Sequence, residues 1–252
     1  MNMKQPHIAL DASLGIDYAI LPGDPARIDK ILPWLQYARE LEYNREFRSV
    51  CGNYRGVRIL ALSTGIGSCS CGIAVEELHN IGVKAAIRVG TCGALQPDIG
   101  LGELIVVSGA VRNDGASRAY LPKGYPAYAD IELLNCVLEA AAELGVPHRE
   151  GVVHCHESFY HDEADDESVY WSSKGVLGED MESAALMTIG RLRGLRAASI
   201  LNNVVLWDAN TAYSIGSYAA GADAPARGEE NEIRVALEAL VRLDAKLKGT
   251  EP

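Results

Sequence analysis

Apolar residues run almost without interruption through 83–90, broken by Lys84 and Arg88. Comparable runs occupy 17–21, 57–63, 103–109, 150–154 and 196–205. Runs with so little polar alternation suit strands covered on both faces. Between them the spacing changes to three and four, which predicts helices over 69–80, 131–144, 181–193 and 229–247. In the last of these, Ile233, Leu237, Leu240, Val241 and Leu247 mark one packing face. The polar turn at 43–47 lies between two further expected strands. The stretch 207–227 is rich in Ala and Gly and weak in periodicity, so it reads as a loop or flap. Strands alternating with helices define an α/β protein, and neither repeats nor low-complexity tracts interrupt the pattern.

The size of the chain narrows this picture. With 252 residues, 48% of them apolar, it can bury one full core, so residues 1–252 are expected to form a single domain. The formal net charge of -11 argues against non-specific nucleic-acid or membrane-surface binding, both of which want a basic face. No stretch is long and apolar enough to span a bilayer, and the N-terminal residues lack the apolar core of a signal peptide. A cytoplasmic location is therefore expected. The six cysteines form no paired CxxC set and read as free thiols.

The candidate chemistry sits where strands end. After the run at 83–87 come Arg88, Gly90, Thr91 and Gly93, at the carboxyl end where open α/β sheets bind ligands. Glycines let backbone N–H groups approach an anion, Thr91 offers a hydroxyl, and Arg88 offers a bidentate fork. An oxyanion such as phosphate is the natural guest. A second strand breaks at Pro22 and Gly23, with Arg27 four residues after the glycine. Arg45 occupies the polar turn, and a glycine turn at 63–68 precedes an expected helix. His154, His156 and His161 cluster around Cys155 and Glu157. They could suggest zinc, but read as a polar loop after a strand, with no metal.

The motifs LPGDPAR (21–27), NREF (44–47), STGIGS (63–68), IRVGTCG (87–93) and GEDMESAAL (178–186), in this order, resemble the nucleoside phosphorylase family of uridine phosphorylases and hexameric purine nucleoside phosphorylases. The likeness runs from His7 to the C-terminal helix. It implies a three-layer α/β sandwich around a mixed, partly barrel-like sheet. It also implies phosphate-dependent cleavage of a ribonucleoside to free base and ribose 1-phosphate, through a transition state with positive charge on the ribose and negative charge on the departing base. By resemblance, Gly23, Arg27, Arg88 and Thr91 hold phosphate, and Arg45 reaches in from a neighbouring subunit. Met181 and Glu182 grip the ribose, with His7 donated to a neighbour's 5′-hydroxyl. Arg88 and Glu182 carry the catalytic electrostatics. A hexamer built as three dimers follows from these shared residues. Phosphate is a co-substrate and no cofactor is needed, although Glu46, Ile66 and Ser70 match a weak monovalent-cation site between subunits.

The base pocket is expected from Cys92, Gly93, Phe159, Asp180, Val204 and Val205. Asp180 departs from the family's usual Glu by one methylene. Purine enzymes of the family place an Asp near Val204 or Val205 to protonate N7, and an aliphatic residue cannot do so. Asp208 could serve as a displaced acid. Apolar residues there resemble uridine phosphorylases, yet Glu163 and Asp165 stand where those enzymes carry uracil-binding Gln and Arg. Uridine is the expected substrate, with a purine nucleoside as the alternative. A same-fold nucleosidase would use water and would not need the arginine cluster. A non-catalytic nucleoside-binding protein would release no base.

Overall fold

The computed structural model describes residues 3–207 and 209–250. Ten strands form one mixed sheet: β1 (Tyr18–Pro22), β2 (Gln36–Asn44), β3 (Phe47–Tyr54), β4 (Val57–Leu62), β5 (Ala85–Ala94), β6 (Leu104–Asn113), β7 (Ala127–Tyr128), β8 (His148–His156), β9 (Gly178–Asp180) and β10 (Arg196–Val205). Strand β5 is the hinge of the architecture. On one side it continues through parallel β1 and β4 to the antiparallel β3–β2 hairpin. On the other it pairs with both β9 and β10, and β10–β6–β8–β9 returns to it, closing a five-stranded barrel. The mixed, partly barrel-like sheet is the one expected.

Among the described residues, eight α-helices accompany it: α1 (Ile28–Ile31), α2 (Ser68–Asn80), α3 (Gly115–Tyr120), α4 (Ile131–Glu143), α5 (Ala164–Ser172), α6 (Ser183–Leu192), α7 (Thr211–Ala219) and α8 (Asp223–Lys248). Strand alternation explains the three layers. Tyr18 and Ile20 of β1 pack with Leu133 and Val137 of α4 and Leu237 and Leu240 of α8. Their neighbours Ala19 and Leu21 point the other way, into Val75 and Leu78 of α2 and Leu186 and Ile189 of α6. All five residues of β1 are buried, so the chain needs an unbroken apolar run there. Each fully buried Leu or Ile contributes roughly 1.5–3 kcal/mol. The closed half has its own core, including Cys92, Ile105, Val107, Val153, Cys155 and Leu201.

Two expectations need correction. The stretch 207–227 is not a structureless flap. It contains α7, capped by the Asn210 side chain accepting from the Tyr213 N–H, and the start of α8. Periodicity missed α7 because none of its residues is buried. His154 and His156 are not in a loop but end strand β8. His154 is 1% exposed and stacks on Trp171 at 5.2 Å. Its burial and nearby His156 lower its pKa to about 4, so the ring is neutral. All six cysteines are free thiols. No described helix is long and apolar enough to cross a membrane.

Candidate active site

The carboxyl ends of β1 and β5 lie side by side, with Pro22 paired to Val89. The turn after β1 is fixed to the glycine turn after β4, since Gly65 N donates to Gly23 O at 2.9 Å. Gly65 has φ +71°, and a Cβ there would stand 2.7 Å from Glu46 Cγ, so the backbone and the close approach both demand glycine. A Cβ on Gly23 would lie 3.9 Å from Arg88 Nη1. One on Gly90 would meet the Arg88 guanidinium at 2.5 Å, so the missing side chain is the seat of that arginine.

Both strand-end arginines are buried and anchored by carboxylates. Arg88 donates from Nε to Asp180 Oδ2 at 3.1 Å, and its Nη2 lies 2.6 Å from Glu182 Oε2. Asp180 Oδ2 also accepts from the Ser183 N–H and hydroxyl, which fixes the start of α6. Glu182 takes a further N–H from Gly67. Burial raises the Glu182 carboxyl above its ordinary pKa, with Arg88 opposing. Arg27 donates to Glu229 Oε1 at 2.7 Å, to Val89 O at 2.9 Å and to the Tyr218 hydroxyl at 2.9 Å. Glu232 Oε1 lies 3.4 Å from Arg27 Nη1, and burial pushes that carboxyl up to about 8. A guanidinium has five N–H groups. Arg27 therefore keeps one on Nη2, with Glu232 close to Nη1, and Arg88 keeps those of Nη1, the atom next to Gly23, for an oxyanion.

Thr91, further along β5, is half-buried and its hydroxyl has no protein partner among the described residues. Arg45 stands apart. It occupies the left-handed position of the β2–β3 turn, φ 56°, and its guanidinium is exposed without an ion pair to any described residue. The N–H of His7 and its Nδ1 are both tied to Glu77, the ring nitrogen at 2.6 Å. Glu46 is held below its usual range by the Ser70 hydroxyl at 2.7 Å, with Arg45 and His7 acting in the same direction. Thus Arg45, His7, Glu46 and Ser70 form one neighbourhood, while Ile66 is 81% exposed beside it.

At the far end of β5, a bulge in β10 makes Val204 the extra residue and sets Val205 opposite Gly93. Bulges of this kind re-aim side chains near active sites. The Cys92 thiol packs in the core of the barrel, so this residue could offer a base only its backbone. Phe159 follows β8, is 39% exposed, and meets Tyr160 edge-on at 4.8 Å. Met181 is half-buried at the turn before α6. Asp180, expected in the base pocket, is instead the support of Arg88 and α6. Alternation along β9 turns Glu179, not Asp180, toward Gly93. Asp208 lies outside the described residues.

Sequence reading also missed Tyr218, Glu229 and Glu232. The two glutamates carried a signal: they sit three apart in line with the apolar face of α8, where charge is costly unless paired.

Comparison with known proteins defines the family. The phosphorylase superfamily model matches residues 17–210. The uridine phosphorylase of Treponema pallidum is 36% identical over 248 residues, covering 93% of this chain and 92% of the relative. The guanosine phosphorylase of Halorubrum lacusprofundi is 36% identical over 197 residues, covering 78% and 81%. The crystal structure of uridine phosphorylase from Vibrio fischeri ES114 superposes with a TM-score of 0.89 at 45% identity, covering 95% of this chain and 98% of the other. The chain belongs to the phosphorylase superfamily.

Proposed function

We propose that this protein is a nucleoside phosphorylase, a pentosyltransferase that cleaves a ribonucleoside with phosphate to free base and ribose 1-phosphate, with uridine its preferred substrate. The observation that carries it is the buried joint of Arg88 with Glu182, one group suited to phosphate and the other to ribose hydroxyls, beside Arg27 and Gly23. Phosphate enters against the free N–H groups of Arg27 and Arg88 and the Thr91 hydroxyl. Glu182 accepts from the 2′- and 3′-hydroxyls, and Met181 packs under the sugar. Preorganised charge of this kind is usually the largest catalytic term. Val205, in register with Gly93 on β10, brings no acid from that strand, which favours a base that leaves without N7 protonation. The uridine phosphorylases among the relatives support the same choice.

Within one protomer the arginine pair faces four carboxyl groups, Asp180, Glu182, Glu229 and Glu232, the last pushed toward its neutral form by burial. A phosphate dianion needs more positive charge than that balance provides. Arg45 from a neighbouring copy supplies it in the assembly we propose, a hexamer of three dimers, with His7 reaching the neighbour's ribose from the same surface. Exposed Ile66 and Tyr43 flank this surface and would be covered by the second copy. A weak monovalent cation at Glu46, Ser70 and the Ile66 carbonyl would sit on the same contact. The free thiols suit a reducing cytoplasm.

The test is a panel of nucleosides incubated with and without phosphate, with product identification. Release of uracil and ribose 1-phosphate only when phosphate is present is the expected result. Phosphate-independent release would make the protein a nucleosidase, and no release would make it a binding protein.

A further inference from the structure

We infer that Glu179 is the base-reading residue of this site, its carboxyl group pairing with an adjacent N–H and C=O on the edge of the base. This rests on the nucleoside phosphorylase reading above and names the group that would recognise the substrate within it. A Cβ built on Gly93 would lie 3.6 Å from Glu179 Oε1 and 3.8 Å from Val205 Cβ, so the carboxyl group and Val205 meet over the side-chain face of Gly93. Oε2 accepts from the Ser168 hydroxyl at 3.2 Å, which holds the group in place, while Oε1 has no partner among the described residues. The acidic residues that replace the expected uracil donors do not compete for this position. Glu163 is 75% exposed, and Asp165 is exposed in the first turn of α5.

An ionised carboxylate would oppose the negative charge that develops on a departing uracil. A neutral carboxylic acid would not: its O–H donates to a carbonyl where that charge gathers, and its other oxygen accepts the ring N–H. The surroundings shift the group toward the neutral form. Burial pushes the Glu179 carboxyl up, and Glu167 of α5 adds to this. His156 of β8, the Ser168 hydroxyl and His161 of the following loop act against it. His154, the register partner of Glu179 on β8, is neutral, and Val205 and Gly93 contribute no charge. Buried acids kept neutral so that they can donate are a known catalytic device.

The experiment compares wild type, Glu179→Gln and Glu179→Ala on uridine, and wild type on N3-methyluridine, between pH 5.5 and 8.5. The amide of Gln has the same donor and acceptor as the neutral acid. Glu179→Gln should keep kcat/KM for uridine within a few-fold of wild type and lose the decline that wild type shows as pH rises. Glu179→Ala should lose about 10–100-fold, the worth of two hydrogen bonds. Wild type should discriminate against N3-methyluridine by a similar factor, a readout that needs no variant to fold. The inference is overturned if N3-methyluridine is turned over as well as uridine, if Ala matches wild type, or if Gln falls as far as Ala. Wild type with no phosphate-dependent turnover of any nucleoside would instead overturn the phosphorylase reading itself, and the inference with it.

Discussion

The Arg88 guanidinium and the Glu182 carboxylate meet at 2.6 Å, both almost completely buried. The residue assigned to the nucleophile and the residue assigned to the ribose therefore hold each other in place before substrate arrives. Neither could move without stranding the other in a low-dielectric setting.

Arg88→Ala is expected to damage both function and fold. Loss of a charged donor at the phosphate should cost on the order of 10²–10³-fold in turnover. Removing the cation also leaves Asp180 and Glu182 buried and unpaired, a change typically worth about 3–5 kcal/mol of stability. Arg88→Lys keeps the charge but loses the fork, so it should retain most of the stability and little of the activity. Thermal unfolding and initial rates on the two variants check this. Full activity in a folded Arg88→Ala protein would refute the phosphate assignment.

Arg45 should behave differently, because its guanidinium pairs with nothing described in its own subunit. Arg45→Ala should leave the melting temperature unchanged within about 2 °C, as expected for an exposed site. It should raise KM for phosphate strongly. Mixed oligomers of Arg45→Ala and Arg88→Lys chains should regain activity, because some sites then receive an intact arginine of each kind. Co-refolding the two and assaying against each alone measures it. No recovery, or an active monomer by sedimentation, would count against shared sites.

Much of the fold was legible because its strands are buried on both faces. β1, β4, β5 and β10 are buried at nearly every position and are mostly apolar, and that leaves an obvious mark. The phosphate end was legible for a related reason: Gly23, Gly65 and Gly90 sit where backbone and arginine crowd together, so the motif letters record close approach. The base end was not. Whether Glu179 or Asp180 faces Gly93 depends on a two-strand register, and which valine faces Gly93 depends on a bulge in β10. A one-residue shift reverses the face of every side chain, and no local sequence pattern fixes that phase. α7 escaped because a helix with no buried face has no apolar period to detect.

Stability should depend on pH from both sides. His154 is held neutral, its pKa lowered to about 4 by burial and nearby His156. Its contribution is present above its ordinary value near 6.5 and is lost as pH falls from there toward 4. Glu232 is raised to about 8 by burial against the pull of Arg27, so its contribution is present in acid and is lost as pH rises from about 4.5 through 8. Melting temperature should thus peak between these limits. Glu232→Gln should flatten the alkaline side and His154→Phe, which keeps a ring against Trp171, the acid side. Each kcal/mol should appear as about 2–4 °C. A variant whose profile parallels wild type would show that its group does not titrate with unfolding.

The base preference turns on Val205. It stands opposite Gly93, with its Cβ 3.8 Å from where a Cβ on Gly93 would be, and it has no proton to give. A purine departs more easily when N7 is protonated, whereas uracil departs as an anion supported at its carbonyls. With Glu179 engaged on the N–H and C=O edge of the base rather than at N7, wild type should therefore turn over uridine better than inosine or adenosine. Val205→Asp places a carboxyl at the same point, within the same bulge, and should raise purine turnover while lowering that of uridine through like-charge opposition. Val204→Asp is the control. As the extra residue of the bulge it does not share the pairing with Gly93, and it should not bring the same gain. Steady-state kcat/KM for uridine, inosine and adenosine on the three proteins decides the matter. If wild type prefers inosine and Asp208→Ala abolishes that activity, a displaced acid serves purines and the assignment of Val205 fails.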